Sequence, residues 1–145
     1  MAFLLDVNVL VALSWPPHEA HAAAQKWFQK HRAEGWASCP ITQLGLLRML
    51  ANPAVTGGLA GMEAAQLILR TAVLQPEHRF VADNLPLAAA LDAIPVVLHG
   101  HRQVTDAYLV ALAMAHQLRL ATLDQGLMAW LPRSGPVRAA VELIG

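Results

Sequence analysis

The chain has 145 residues, 56% of them hydrophobic and 14% charged, with ten basic and ten acidic side chains balancing to zero. That length suits one domain, residues 1–145, with a sizeable core, and the charge balance leaves any affinity for nucleic acid to a local basic patch. No apolar run nears the roughly 20 residues of a membrane span, the start lacks the basic residues of a signal peptide, and the lone Cys39 excludes an internal disulfide and argues against a zinc cluster.

These features favour the cytoplasm with no membrane contact, and the apolar excess points to a surface covered by a partner. Residues 3–5 read as a short buried strand that ends at Asp6. Residues 7–15 read as a buried helix stopped by Pro16 and Pro17. A carboxylate at the end of a buried strand is costly unless something positive compensates it. In an open parallel sheet the carboxyl ends of the strands are where ligands bind. Asp6 is therefore the first candidate site residue.

His18 opens a second helix reaching about residue 34, with Ala20, Ala23, Ala24, Trp27 and Phe28 on one face. Gly35 sits where a helix C′ glycine belongs. Residues 36–39 read as the second strand. Thr42 is a good N-cap for a helix over 43–50, which stops at Asn52 and Pro53. Gly57, Gly58 and Gly61 mark a loop. A helix over 62–74 follows, with Ala65, Leu67, Ile68, Ala72 and Val73 as its apolar face.

Residues 76–78 form a turn and 79–82 a third strand. A short helix covers 87–93. Residues 96–98 read equally as a strand or as an extended lead-in. Thr105 caps a helix over 106–117 that is apolar almost all round and so belongs in the core. Residues 118–123 form a strand with Asp124 at its end, and 137–144 a last edge strand. Strands alternating with helices, without repeat or linker, argue an α/β domain with a mainly parallel sheet.

Three acids share one setting. Asp6 and Asp124 end strands, and Asp106 opens a buried helix. They are far apart along the chain, so only folding can assemble them. Carboxylates brought together raise each other's pKa, and a cation among them keeps them ionised. Hard oxygen donors suit Mg²⁺ or Mn²⁺. His18, His21, His99 and His101 have no matching set for zinc.

Leu4-Leu5-Asp6-Val7-Asn8-Val9-Leu10, Thr42-Gln43-Leu44-Gly45-Leu46-Leu47-Arg48, Val104-Thr105-Asp106-Ala107-Tyr108-Leu109 and Leu120-Ala121-Thr122-Leu123-Asp124 occur in this order. Together they resemble the PIN domain, in its VapC type, the toxin ribonuclease of bacterial toxin–antitoxin pairs. The resemblance spans nearly the whole chain. It implies a three-layer α/β/α fold around a mainly parallel sheet of about four to five strands. It implies an endoribonuclease dependent on Mg²⁺ or Mn²⁺ that cleaves RNA phosphodiesters with metal-activated water. The cognate antitoxin is the implied protein partner, and the chain is expected as a homodimer.

On this resemblance Asp6, Asp106 and Asp124 are the catalytic, metal-binding acids. Asn8, Gln43, Thr105 and Thr122 fall on positions that orient them or the substrate. Arg48, His101 and Arg102 are candidates for RNA phosphate contacts. One position departs: the family usually has Glu where this chain has Gln43, which removes a negative charge. That departure carries the alternative of a weakened or silent PIN-fold module that binds RNA or protein. A phosphatase built on paired aspartates fits less well, because Asn8 stands where its second Asp would be.

Overall fold

The computed structural model describes residues 1–145. Its sheet has five strands: β1 (Phe3–Leu5), β2 (Trp36–Ser38), β3 (His78–Phe80), β4 (Arg119–Thr122) and β5 (Val141–Leu143). The order is β3-β2-β1-β4-β5 and every pairing is parallel. The first strand is thus central and pairs directly with β4, Leu5 opposite Ala121. That register sets Asp6 and Asp124 at one rim.

Alternate side chains of a strand face opposite ways, and the sheet divides two cores accordingly. Leu4, Ala37, Leu120 and Val141 face one side. They pack against α6 (Leu87–Asp92), α7 (Arg102–Ala115), α8 (Gln125–Trp130) and α9 (Pro136–Ala139). Phe3, Leu5, Trp36 and Ala121 face the other. There they meet α1 (Val7–Ser14), α2 (His21–His31), α3 (Pro40–Ala51) and α5 (Met62–Val73). The three-layer α/β/α reading therefore holds. The near-uniformly apolar α7 is fully buried from Ala107 to Ala113, as its composition required. Gly45 allows α3 to cross α1 closely, since a Cβ there would lie 2.4 Å from Val7 Cγ2.

Several boundaries differ from the sequence expectations, each for a local reason. The second helix starts at His21 rather than His18, because His18 Nδ1 accepts from Ala20 N at 3.0 Å and holds a turn. Only Ala24 of its expected stripe is fully buried, and Ala23 is exposed. Helix α3 starts at Pro40, with Cys39 as N-cap. Thr42 serves that cap from inside the helix, its Oγ1 accepting from Cys39 N at 3.0 Å. A short helix, α4 (Pro53–Thr56), follows Asn52, whose side chain accepts from Ala54 N.

Leu67, expected on the apolar face of α5, is exposed, and Ile68, Leu69 and Ala72 pack inward instead. The stretch 96–98 joins no strand and is the extended lead-in. Thr105 is not a cap. Helix α7 begins at Arg102, and Gln103 Oε1 accepts from His99 N at 2.7 Å just ahead of it. The expected strand over 137–144 is half helix, because Pro136 follows Gly135 (φ +92°) as the first residue of α9.

Candidate active site

Strand β1 ends at Leu5, and Asp6 turns the chain into α1 by capping it. Asp6 Oδ1 accepts from Val7 N at 2.7 Å. Its backbone N donates to Ala121 O at 3.0 Å, which keeps the residue in the sheet's register. Asp6 as a whole is 6% exposed. Its other oxygen, Oδ2, accepts from Thr122 Oγ1 at 2.7 Å and from Asn8 Nδ2 at 3.3 Å.

Thr122 is wholly buried and organises the rim. Its hydroxyl donates to Asp6 and accepts from Asn8 Nδ2 at 3.2 Å and from Asp124 N at 3.1 Å. Asn8 completes the link, its Oδ1 accepting from Leu123 N at 3.0 Å. Asn8 and Thr122 thus tie the end of β1 to the end of β4. Asp124 caps α8, its Oδ1 accepting from Gly126 N at 2.8 Å.

Asp106 comes from the second turn of α7. Burial, then the charges of Asp6 and Asp124, push its pKa up to about 7, and no hydrogen bond to the carboxylate opposes them. Burial likewise raises Asp6, with Asp124 adding to it, against the lowering effect of the Thr122, Val7 and Asn8 donors. Three carboxylates from distant parts of the chain therefore feel one another across one edge of the sheet. As the side chains stand, no group of three acidic, histidine or cysteine residues is placed to hold a metal ion together. The arrangement is an open set of hard oxygen donors. That suits an ion such as Mg²⁺, which keeps several waters and takes only one or two carboxylates directly.

The other predicted residues divide. Asn8 and Thr122 join the aspartates. Thr105 does not: it lines an apolar hollow with Ile41, Leu85, Leu87, Val104 and Tyr108. Gln43 has a different set of neighbours. Its Nε2 donates to Ser38 Oγ at 2.9 Å, and Ser38 Oγ lies 2.7 Å from His78 Nε2. Burial lowers the pKa of His78, which favours the neutral ring that accepts the Ser38 hydroxyl proton. Sequence reasoning missed Ser38 and His78; the one available signal was a serine closing the second strand, as Asp6 closes the first. Arg48, His101 and Arg102 are exposed, the latter two just ahead of Asp106 on the same end of α7.

The PIN domain family model matches residues 3–129. Ribonuclease VapC38 of Mycobacterium tuberculosis is 40% identical over 141 residues, 97% of this chain and 96% of that protein. Among solved structures, VapBC2 from Rickettsia felis bound to a DNA fragment from its promoter aligns with a TM-score of 0.67 at 12% identity over all of both chains. The Mycobacterium tuberculosis sarcin-ricin loop cleaving toxin VapC20 gives 0.66 at 13% identity, covering 88% of this chain and 93% of its own. At such identities the structural likeness is one of fold.

Proposed function

This chain belongs to the PIN domain family, in its VapC type, and from that premise we propose that it is the toxin of a toxin–antitoxin pair, an endoribonuclease dependent on Mg²⁺ or Mn²⁺. The observation that carries the reading is the β1–β4 register, which sets Asp6 and Asp124 at one rim tied together through Thr122, with the part-buried Asp106 of α7 raised by burial and by both charges. A fold has no structural need to gather three like charges. A cation that binds them offsets the repulsion.

In this reading Asp6, Asp106 and Asp124 hold the ion. When bound, it supplies a Lewis acid that activates water and offsets charge on the scissile phosphoryl group. Thr122 and Asn8 hold Asp6 in place and fix the backbone at Asp124, so the charges cannot relax apart. His101, Arg102 and Arg48 meet RNA phosphates, the first two close to the acids. Neutral net charge makes sequence-independent binding weak, and specificity rests on those local cations and RNA shape. The antitoxin and a second copy of the chain cover apolar surface such as Leu59, Leu67 and Leu74, each more than half exposed. The VapC-type relatives, such as Ribonuclease VapC38 at 40% identity, support the antitoxin.

One observation favours the second reading, a silent PIN-fold binding module. Gln43 brings no charge, and its amide is engaged with Ser38. The test is cleavage of an RNA panel by antitoxin-free protein with Mg²⁺ or Mn²⁺, comparing wild type, Asp6→Asn and Gln43→Glu. Metal-dependent cleavage by wild type and its loss in Asp6→Asn are expected. No cleavage by wild type, together with undiminished toxicity of Asp6→Asn in cells, would overturn the nuclease in favour of the binding module. Faster cleavage by Gln43→Glu would show that the missing charge limits this enzyme.

A further inference from the structure

On the side of β1 away from β4, the sheet continues through β2 to the edge strand β3. There lies an open hollow of about 340 Å³, lined by Gln43, Leu69, Arg70, Val73, His78 and Phe80. Helices α3 and α5 and strand β3 supply these residues. No carboxylate lines it.

Three of its groups are free. Phe80 closes β3, is 56% exposed and stands outside every ring–ring and cation–ring contact of the protein. Arg70 is exposed and enters none of the ion pairs. Gln43 is held by one hydrogen bond, from its Nε2 to Ser38 Oγ at 2.9 Å, which leaves an N–H and the carbonyl oxygen of the amide open. His78 is committed: its Nε2 takes the Ser38 hydroxyl, and its ring lies 4.5 Å from that of Trp36.

A single exposed apolar side chain needs no explanation. What distinguishes Phe80 is its company. A bare aromatic face, an unpaired guanidinium and an open amide are the groups with which proteins hold an unpaired nucleotide. The base stacks on the ring, its edge meets the amide, and the backbone phosphate meets the cation. The place fits as well. Ser38 pairs with Phe80 in register, so β2 and β3 end level at the carboxyl edge. Two strand spacings set the end of β3 about 10 Å from the end of β1. An RNA strand with one phosphate at the acids spans that distance with its adjoining nucleotide.

We propose that this hollow is a base subsite, in which an unpaired RNA base stacks on Phe80 with Gln43 at its edge and Arg70 at its phosphate. Its occupant rests on the nuclease reading, but its preference for unpaired RNA is measured without cleavage.

The probe is a fluorescein-labelled oligoadenylate, titrated with the full chain and followed by anisotropy. Ca²⁺ replaces Mg²⁺, and a gel verifies that the strand stays intact. Phe80→Ala should weaken binding about tenfold. Phe80→Leu, which keeps apolar bulk without a stacking ring, should weaken it nearly as much, and Phe80→Trp should bind at least as well as wild type. Arg70→Gln should reduce the slope of log affinity against log salt by about 0.7. The same strand paired with oligouridylate should show no dependence on Phe80. Thermal midpoints equal to wild type verify that the variants fold. No binding by wild type, or equal binding by Phe80→Ala, would overturn the subsite. So would a Phe80→Ala protein that turns from dimer to monomer with its RNA affinity unchanged, since the ring would then belong to a contact between copies. Phe80-dependent binding without any cleavage in Mg²⁺ or Mn²⁺ would remove the nuclease and leave the subsite. Cleavage with kcat/KM unaffected by Phe80→Ala would do the reverse.

Discussion

The two edges of the sheet treat negative charge in opposite ways. Around the amino ends of the strands the acids are paired. Glu34 meets His31 at 2.6 Å and the N-terminal amine at 3.5 Å. Glu77 takes the Arg32 fork. Glu142, in the edge strand β5, accepts from Trp27 Nε1 at 2.7 Å and pairs with Arg119 at 2.9 Å. Their partners lower the pKa of Glu34 and Glu77. At the carboxyl edge Asp6 and Asp106 move the other way, raised by burial and then by neighbouring charge, that of Asp124 on Asp6 and those of Asp6 and Asp124 on Asp106. The paired edge serves the fold. The unpaired edge opposes it, which is what the proposed site at that edge would require.

The sharpest way to break this contrast is Asp106→Asn. Cleavage should drop by about a hundredfold or more, read from initial rates with saturating Mg²⁺. The same variant should make the metal-free protein more stable, by about 1 kcal/mol or about 3 °C in thermal midpoint, because one repelling charge is gone. If Asp106→Asn instead lowers the midpoint, the three acids are a structural cluster and the contrast between the edges collapses.

Glu142→Ala should do the converse. It strands the half-buried Trp27 N–H and frees Arg119, for a loss of about 1 kcal/mol in a urea titration, while the cleavage rate per folded molecule stays unchanged. Mg²⁺ should raise the thermal midpoint of wild type at pH 8 through preferential binding to the folded state. In Asp106→Asn it should raise it little.

The smallest effect is that of pH on the metal-free protein. Folded Asp106 holds its proton to about pH 7, whereas the unfolded side chain loses it near 3.8. Between those values the folded state binds more protons, so stability falls as the pH climbs through that window. Asp6 acts in the same direction. Glu34 and Glu77, with lowered pKa, act oppositely: their stabilisation is full above the ordinary 4.5 and fades as the pH falls through their folded values. Metal-free stability should therefore peak where these windows meet, at about pH 4, and fall from there toward pH 7. A midpoint that keeps rising from pH 5 to pH 8 would show that the aspartates do not repel.

Part of this contrast was legible in the sequence. The strand ending at Asp6, the strand ending before Asp124 and the apolar helix bearing Asp106 each carry their signal within a few residues. Helix starts were less legible where the capping group sits inside the helix, as Thr42 does for Cys39, or where a side chain from the next turn supplies the bond, as Gln103 does for His99. Thr105 looked like a cap for that reason, and the structure turns it to an apolar hollow.

By itself the sequence determined the alternation of strand and helix, the three acids and the family, because hydrophobic period and short motifs are local properties. Only the tertiary structure decided which charges have partners. The β1–β4 register sets Asp6 beside Thr122 and within the field of Asp124, while Gln43 goes to Ser38 and His78. Those pairings join residues from distant parts of the chain, and their energies depend on separations and burial that exist only once the sheet has formed.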